Sequence, residues 1–235
     1  MNNIKTITLD FWDTIFRYPF SEEIFLKRVD FTYEDLKDYV SYQVIYQEIK
    51  HQYVFFQMIW DKEHRTPTTN EMFTNTFIRL GIEPSPELLA KQIKFYEELI
   101  LSEEIEPIDG VESILKYLSK KYKLVIISDT GFEPGNILRE ILTKFNFLRY
   151  FSGFVFSNEV GSSKPNENMF KKALSYTGSK FSESIHIGDR ENKDIEGALN
   201  CGMKAILFAG EREDDFETSK ATYKIKSWKE IYNLL

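Results

Sequence analysis

The fold class follows from a stretch in the middle of the chain, KLVIISD at residues 123–129. Its apolar residues are nearly continuous, and most of them are β-branched. Such a run is typical of a strand that is covered on both faces, as the strands of parallel sheets are. The stretch therefore predicts a buried parallel strand that ends at Ser128 and Asp129.

Four further stretches have the character of strands. The first alternates in polarity and ends at Asp10, and the fourth strand in chain order ends at Gly188 and Asp189. These four strands are predicted at residues 4–9, 153–157, 184–187 and 204–208. Amphipathic helical patterns separate the strands, at residues 111–118, 168–174 and 194–199. This alternation predicts an α/β fold, a Rossmann-like parallel sheet with helices on both faces.

A long segment, residues 18–106, interrupts the alternation. It contains no convincing strand, but it carries several amphipathic helical patterns, such as residues 33–50 and 86–101. Because it is far too long for a loop inside a compact domain, we interpret it as an inserted α-helical cap. The predicted catalytic core then consists of residues 1–17 and 107–235.

Composition narrows the classes of function. Hydrophobic residues make up 42% and charged residues 29%, as in an ordinary globular protein, and the net charge of -7 argues against a nucleic-acid partner. The sequence predicts neither a membrane span nor a signal peptide. Cys201 is the single cysteine, so an intrachain disulfide is impossible. We therefore expect a cytoplasmic protein, and we see no signal for an oligomeric state.

Three of the predicted strands end in carboxylates, those of Asp10, Asp129 and Asp189. In a parallel sheet these groups converge on one edge, near the point where the strand order reverses. Clustered carboxylates repel each other unless a cation lies between them, and oxygen-rich sites suit Mg²⁺. We therefore predict a Mg²⁺ site in which Asp189 binds the metal. Asp194, five residues later, is predicted to orient the metal or Lys164.

The same edge has the groups that phosphoryl transfer needs. The Asp10 carboxylate can attack phosphorus and form an aspartyl phosphate. The Ser128 hydroxyl and the backbone N–H groups that follow, at Asp129 and Thr130, can donate hydrogen bonds to phosphate. Lys164 can neutralise the developing charge and hold the nucleophile.

Four short segments, in this order, carry a resemblance to a known family. They are LDFWDT at 9–14, ISDTG at 127–131, SKP at 163–165, and HIGD through Asp194 at 186–194. In order and spacing the chain resembles the haloacid-dehalogenase-like hydrolase superfamily. The resemblance implies that Asp10 is the nucleophile and that Ser128 and Lys164 hold the phosphate. It also implies that Mg²⁺ binds Asp10, the backbone carbonyl of Trp12, and Asp189.

One position departs from the family pattern. Phosphatases of this family usually have a second Asp two residues after the nucleophile, which protonates the leaving group, and here that residue is Trp12. Indole cannot transfer a proton at neutral pH. Asp13 is a candidate acid/base, and the alternative is that it hydrogen-bonds its own loop. His51 and His64 in the cap are further candidates for the acid/base. The alternative is that each is an ordinary surface or packing histidine.

Several functions remain open on the sequence. The leading hypothesis is a Mg²⁺-dependent phosphatase of a small phosphorylated metabolite. A haloacid dehalogenase has an aromatic residue at the position of Trp12, but it needs no metal and lacks the pair at residues 188–189. A phosphonate hydrolase would need a cap lysine, for which Lys27, Lys50 and Lys62 are available. A catalytically weak relative that binds a phosphorylated ligand or a partner protein is the third alternative.

Overall fold

The computed structural model describes residues 3–235 of the chain. Six strands form one sheet, and every neighbouring pair is parallel. The strands are β1 (Thr6–Leu9), β2 (Lys123–Ser128), β3 (Gly153–Phe156), β4 (Ser184–Gly188), β5 (Lys204–Phe208) and β6 (Tyr223–Ile225). The order across the sheet is β3-β2-β1-β4-β5-β6, so the winding reverses between β1 and β4. The predicted Rossmann-like α/β fold is confirmed.

Helices cover the sheet and fill the insertion after β1. They are α1 (Glu22–Leu36), α2 (Tyr42–Glu63), α3 (Thr69–Leu80), α4 (Pro86–Glu98), α5 (Val111–Leu118), α6 (Gly135–Lys144), α7 (Ser157–Val160), α8 (Glu167–Ser175), α9 (Glu196–Asn200) and α10 (Ile231–Leu234). Helices α1 to α4 follow one another with no strand between them. Within residues 3–235, none of the helices combines the length and the apolar character that crossing a membrane requires.

The apolar run of β2 explains why the sheet is covered on both faces. Leu124 and Ile126 pack into one hydrophobic cluster, whereas Val125 and Ile127 pack into another. All four side chains are completely buried. Burying a side chain of this size contributes roughly 1.5–3 kcal/mol relative to leaving it exposed. The strand is therefore held at the centre of the core, where its carboxyl end has a fixed position.

The core differs from the sequence prediction in two places. Strand β6 was not predicted because it is only three residues long, too short for a pattern of alternation. The helix predicted at residues 194–199 begins instead as a π-helical turn, Glu191–Ile195, and continues as α9. The wider turn follows β4 directly and carries Asp194 back over the strand end.

The helical character of the insertion is confirmed, but the predicted helix at residues 33–50 is wrong. Helix α1 ends at Leu36, and α2 begins after Ser41, whose backbone is extended. A serine before a helix is a common helix start, but the apolar spacing continues across the break and hides it. The helix predicted at 86–101 ends at Glu98 and continues as a 3-10 turn.

The insertion has its own apolar cluster, in which Phe25, Phe73 and Tyr96 are buried. Its two connections to the core lie side by side. The Arg17 N–H donates a hydrogen bond to the Glu106 carbonyl at 3.0 Å. The division into a core of residues 1–17 and 107–235 and a cap of residues 18–106 stays a prediction, and these features support it.

Candidate active site

Lys164 joins two carboxylates at the edge where β1 and β4 end. Its ammonium donates hydrogen bonds to Asp10 Oδ1 at 2.5 Å and to Asp194 Oδ1 at 2.6 Å. The lysine side chain is 2% exposed, so water hardly screens these ion pairs. The structure thus brings together three of the residues that the sequence singled out.

The ends of β1 and β4 fix the positions of Asp10 and Asp189. The Asp10 N–H donates to the Ile187 carbonyl at 2.9 Å, which extends the pairing of the two strands to the nucleophile candidate. Asp189 follows Gly188, the last residue of β4. Both carboxylates are buried. The switch point of the sheet therefore sets two acidic groups beside each other, as predicted.

The donor set fits a hard cation. One carboxylate oxygen each of Asp10, Asp189 and Asp194 lies within 4.8 Å of the others. Among residues 3–235, Asp189 Oδ2 has no hydrogen-bond partner although it is buried. The guanidinium groups of Arg190 and Arg212 lie 3.9 and 3.8 Å from this oxygen, beyond hydrogen-bond distance. A buried charged acceptor without a hydrogen bond is costly. An oxygen-binding cation such as Mg²⁺ would complete this cluster.

The pKa values at the site reflect burial and charge. Burial raises the pKa of Asp10 to about 7, although Lys164 opposes the shift. Burial, with Asp10 nearby, also holds the pKa of Asp189 well above its usual range. Burial acts in the same direction on Asp194, but Lys164 and His186 outweigh it and hold the pKa of Asp194 well below the usual range. Asp194 is thus the carboxylate most firmly held in its charged form.

Both oxygens of Asp194 are already engaged. Oδ1 contacts Lys164 and also lies 2.9 Å from Nε2 of His186, and Oδ2 accepts the Arg190 N–H at 3.0 Å. A Cβ on Gly188 would come within 2.3 Å of the Asp194 Cγ, so only glycine fits there. These contacts favour the predicted role of Asp194 in orienting Lys164. His186 is buried within β4.

Ser128 and Asp129 end β2, and the two differ in what their side chains do. Ser128 lines the cavity beside Asp10. Asp129 Oδ1 accepts the Lys164 backbone N–H at 2.9 Å, and Oδ2 accepts the Trp60 indole N–H at 2.8 Å. The Asp129 carboxylate therefore holds neighbouring protein groups, and the predicted phosphate contact of its backbone N–H stays a prediction.

The structure also gives Thr130 other partners than phosphate. Its N–H donates to Ser157 Oγ at 2.8 Å, and its hydroxyl lies 2.9 Å from the same oxygen. Thr130 is buried against α7. The loop after β2 turns toward that helix, which the sequence did not indicate, so the predicted phosphate contact of Thr130 lacks structural support.

Trp12 and Asp13 both line the cavity. The Trp12 ring packs edge-on against Phe11 and Tyr18, with centroid distances of 4.8 and 5.1 Å. Asp13 has a left-handed backbone, with φ of 54°, and its Oδ1 accepts the Tyr18 N–H at 3.1 Å. This contact corresponds to the second interpretation of Asp13, a residue that hydrogen-bonds its own loop.

The cap histidines lie elsewhere. Neither His51 nor His64 is among the residues that line the cavity. His64 is exposed and directly follows the last residue of α2. The carbonyl of His64 accepts the Ser163 N–H at 2.7 Å. Lys164 lies between the short α7 and α8, which begins only at Glu167.

A cavity of about 330 Å³ opens beside Asp10, between the core and the cap. Trp60 of α2 lies in its wall, with the Lys193 ammonium 4.3 Å from its ring centroid. Lys193 also donates to the Trp60 carbonyl at 3.2 Å and pairs with Asp61 at 3.0 Å. The sequence did not single out Lys193. A basic residue four positions after Asp189 and facing the cap has no local sequence signature.

A buried ion pair lies behind the cavity wall. Arg28 of α1 is fully buried, and its guanidinium donates to Glu133 Oε1 at 3.0 Å. It also lies 4.1 Å from the Phe132 ring centroid and donates to the Tyr53 hydroxyl at 2.6 Å. Burial raises the pKa of Glu133, and Arg28 opposes the shift. Sequence reasoning missed this pair because its members are 105 residues apart.

A family model described as haloacid dehalogenase-like hydrolase matches residues 39–208, more than half of the chain. The chain therefore belongs to the haloacid dehalogenase-like hydrolases, as its four motifs led us to expect. The match begins inside the cap and does not include Asp10.

Curated relatives within this family include named phosphatases. The chain is 27% identical to the glyceraldehyde 3-phosphate phosphatase of Methanopyrus kandleri over 59% of this chain and 58% of that protein. It is 37% identical to the enzyme of the same name from Methanothermobacter thermautotrophicus over 42% of each protein. The matches thus span about half of these two relatives. It is 27% identical to the pyrimidine 5'-nucleotidase YjjG of Escherichia coli over 88% of this chain and 85% of that protein.

Solved structures share the fold over nearly the whole chain. The HAD phosphatase from Thermococcus onnurineus matches with a TM-score of 0.68 and 19% identity, over 98% of this chain and 97% of that one. The 2-haloacid dehalogenase from Pseudomonas syringae matches with a TM-score of 0.71 and 18% identity, over the same shares. At these identities the likeness establishes the fold, which phosphatases and dehalogenases have in common.

Proposed function

We propose that the protein is a phosphatase that transfers the phosphoryl group of a small phosphorylated metabolite to Asp10, with Mg²⁺ as its cofactor. One observation carries this proposal. The Lys164 ammonium holds Asp10 at 2.5 Å, while the buried Asp189 beside it keeps an oxygen without a hydrogen-bond partner among residues 3–235. This arrangement provides a positioned nucleophile and a vacant oxygen ligand.

The chain itself supplies the nucleophile and the groups that orient it. An Asp10 carboxylate oxygen attacks phosphorus, the bond from phosphorus to the leaving oxygen breaks, and an aspartyl phosphate forms. Water then cleaves the acyl phosphate and releases inorganic phosphate. Lys164 keeps Asp10 oriented and offsets negative charge, and the Ser128 hydroxyl is placed to donate to a phosphate oxygen.

Asp10 and Asp189 are the residues that we propose to hold Mg²⁺, with the Trp12 carbonyl as the ligand that the family resemblance implies. When bound, Mg²⁺ supplies positive charge that offsets the repulsion between the phosphate and the carboxylates. Asp194, whose oxygens contact Lys164, His186 and Arg190, acts on the site by orienting Lys164.

The leaving group receives no proton from the position after Phe11, because Trp12 has no acidic group. Asp13, the other candidate, is engaged with the Tyr18 N–H. We propose that the protein is fastest with substrates whose leaving group needs little protonation. Loss of a general acid costs about 10²–10⁴-fold on other substrates.

The alternatives have weaker support. A metal-free dehalogenase would not need a buried Asp189 oxygen that has no hydrogen-bond partner among residues 3–235. The phosphonate route needs a lysine in the cavity, but Lys27 pairs with Glu103 at 2.8 Å, and neither Lys50 nor Lys62 lines the cavity. The relatives that cover parts of this chain carry phosphatase names, which favours phosphate esters as substrates.

Hydrolysis of acetyl phosphate tests the proposal, because this substrate has a small, good leaving group. We expect phosphate release with Mg²⁺, little release with a chelator, and loss of release in Asp10→Asn. Asp109→Asn is the matched control, since the side chain of Asp109 is 97% exposed and lies outside the site. Equal activity of Asp10→Asn and Asp109→Asn would reject the proposal. Absence of turnover on any phosphate ester would favour the binding-only alternative.

A further inference from the structure

The apolar wall of the cavity has an unusual composition. In the part of the chain that the structure describes, every apolar side chain that lines the cavity is aromatic. Besides Trp12 these are Tyr18, Phe20, Tyr53, Phe56, Trp60 and Phe132. Aliphatic side chains dominate the two clusters that cover the sheet, whereas half of the buried members of the cap cluster are aromatic, so the cavity wall continues the aromatic character of the cap.

We propose that this wall selects phosphate monoesters whose alcohol carries a planar aromatic or heteroaromatic ring. This inference rests on the proposed function, since Asp10 and Lys164 would receive the phosphate. Aromatic rings attract other rings in offset-stacked and edge-on geometries, beyond the gain from burying apolar area. Stacking of a base on an aromatic side chain tolerates different bases, because each has a π-face.

The cavity joins a polar end to this aromatic wall. Asp10, Ser128 and Lys164 line it where the sheet ends, and the cap helix α2 contributes Tyr53, Phe56 and Trp60 from the other side. Its volume of about 330 Å³ is within the range for sites that hold a small organic ligand. A phosphate with an attached ring-bearing alcohol matches both parts of the lining.

Hydrogen-bonding groups among the rings suit the edge of a heterocycle. Glu133 lines the cavity, and Gln57 of α2 adds an amide. Arg28 compensates the charge of Glu133 at 3.0 Å, so the wall offers an acceptor without a free negative charge. Arg28 also lies over the Phe132 ring at 4.1 Å. A cationic ligand, the other class that aromatic walls attract, would have to compete with this internal cation.

A small polyol phosphate fits the same wall poorly. Its hydroxyl groups would lose their hydrogen bonds to water when they pack against the ring faces, which offer no hydrogen-bond partner. This loss is unfavourable. A hydroxyl set against an apolar wall gives modest discrimination between substrates, up to about 10²-fold. The wall therefore favours a ring-bearing ester over a triose phosphate.

A kinetic experiment compares uridine monophosphate, glyceraldehyde 3-phosphate and acetyl phosphate with Mg²⁺. We expect kcat/KM to be at least about tenfold higher for uridine monophosphate than for the triose phosphate. In Phe56→Leu, the ratio of kcat/KM for uridine monophosphate to that for acetyl phosphate should fall about five- to 100-fold, as expected for a lost stacking contact. Phe31→Leu is the matched control, because Phe31 stacks on Phe95 within the cap and does not line the cavity.

A binding experiment separates this inference from the proposed function. Calorimetry on Asp10→Asn with Mg²⁺ compares the affinities for uridine monophosphate, glyceraldehyde 3-phosphate and phosphocholine. This measurement does not depend on turnover. Tightest binding of uridine monophosphate supports the inference even where acetyl phosphate hydrolysis fails. Equal binding of the triose phosphate would overturn it, and so would tightest binding of phosphocholine, which would mean that the rings hold a cation. If the wild type hydrolyses acetyl phosphate, either of these two binding results would reject the inference about the aromatic wall but would not reject the phosphatase proposal.

Discussion

The Trp60 indole N–H donates a hydrogen bond to Asp129 Oδ2 at 2.8 Å, and Asp129 Oδ1 accepts the Lys164 backbone N–H at 2.9 Å. Lys164 in turn contacts Asp10 through its ammonium. A single half-buried carboxylate therefore connects cap helix α2 to the segment that holds the nucleophile candidate. The contact of Lys193 with the Trp60 ring and carbonyl strengthens the same junction.

Trp60→Phe tests this junction. The variant removes the donor and leaves the half-buried Asp129 Oδ2 without this partner, which should weaken the junction between α2 and the core by about 1–3 kcal/mol. We expect kcat/KM for acetyl phosphate to fall about five- to 100-fold. Steady-state kinetics measure the effect. Val54→Ala, on an exposed position of the same helix, should change little. An unchanged kcat/KM in Trp60→Phe would show that the hydrogen bond does not couple cap and site.

Asp194→Asn tests whether Asp194 orients Lys164. The change keeps the shape of the side chain but removes the charge that faces the ammonium and His186. Residues that support a reacting group in this way typically contribute about 10–100-fold, so we expect kcat at saturating Mg²⁺ to fall by about that factor.

Asp214→Asn is the control for this variant, because Asp214 is 75% exposed and pairs only with Arg212 among the described residues. A drop confined to apparent Mg²⁺ affinity, with kcat restored at high Mg²⁺, would instead identify Asp194 as a direct metal ligand.

Glu133→Gln should destabilise the fold. It leaves the fully buried Arg28 without its carboxylate, and breaking a buried ion pair in this way costs about 3–5 kcal/mol. Urea unfolding followed by circular dichroism measures the change. Glu106→Gln removes a carboxylate that is 58% exposed and pairs with Arg17, so it should cost less than about 1 kcal/mol. Similar losses in both variants would mean that the buried pair contributes no more than a surface pair.

The sequence predicts the sheet and its acidic edge well because both depend on local patterns. The continuous apolar run of β2 identifies a strand covered on both faces, and the residues after each strand end must meet at one edge. Asp10, Lys164, Asp189 and Asp194 were found in this way. Their direct contacts, such as Lys164 to Asp194, follow from the π-helical turn after β4, which has no sequence signature.

What the sequence could not predict depends on where the cap docks. Trp60 and Glu133 are 73 residues apart, yet both line one cavity. Which aromatic side chain of a helix faces a cavity depends on the helix's rotation, and a helix that packs on several sides shows no single apolar stripe. Thr130 was assigned to phosphate for a related reason, because only the position of α7 shows that Ser157 takes its donors.

Metal binding should depend on pH in a defined direction. Burial raises the pKa of Asp10 from its ordinary 3.8 to about 7, so between these values the folded, metal-free protein binds more protons than the unfolded chain. The free energy of unfolding of the metal-free protein therefore falls as pH rises through this window. The stability that protonated Asp10 contributes is lost above the pKa of Asp10 in the folded protein.

Thermal unfolding with a chelator and with Mg²⁺, at about pH 5 and about pH 8, measures this effect. We expect Mg²⁺ to raise Tm more at the higher pH, where the ion no longer competes with protons for the carboxylates. Asp10→Asn should lose most of this difference, whereas Asp109→Asn should keep it. Equal stabilisation by Mg²⁺ at both pH values would contradict the assignment of Asp10 as a ligand.

Trp12→Asp should supply the proton donor that the chain lacks. Trp12 lines the cavity two residues after the nucleophile candidate, the position at which phosphatases of this family usually carry an acid. General acid catalysis helps most when the leaving group is a poor one, so kcat for uridine monophosphate should rise by up to about 100-fold. Acetyl phosphate, whose leaving group needs no proton, should show little gain. Trp12→Asn is the control, since it removes the ring equally but has no acidic proton. If Trp12→Asp and Trp12→Asn were equally active on uridine monophosphate, a missing general acid would not limit this protein.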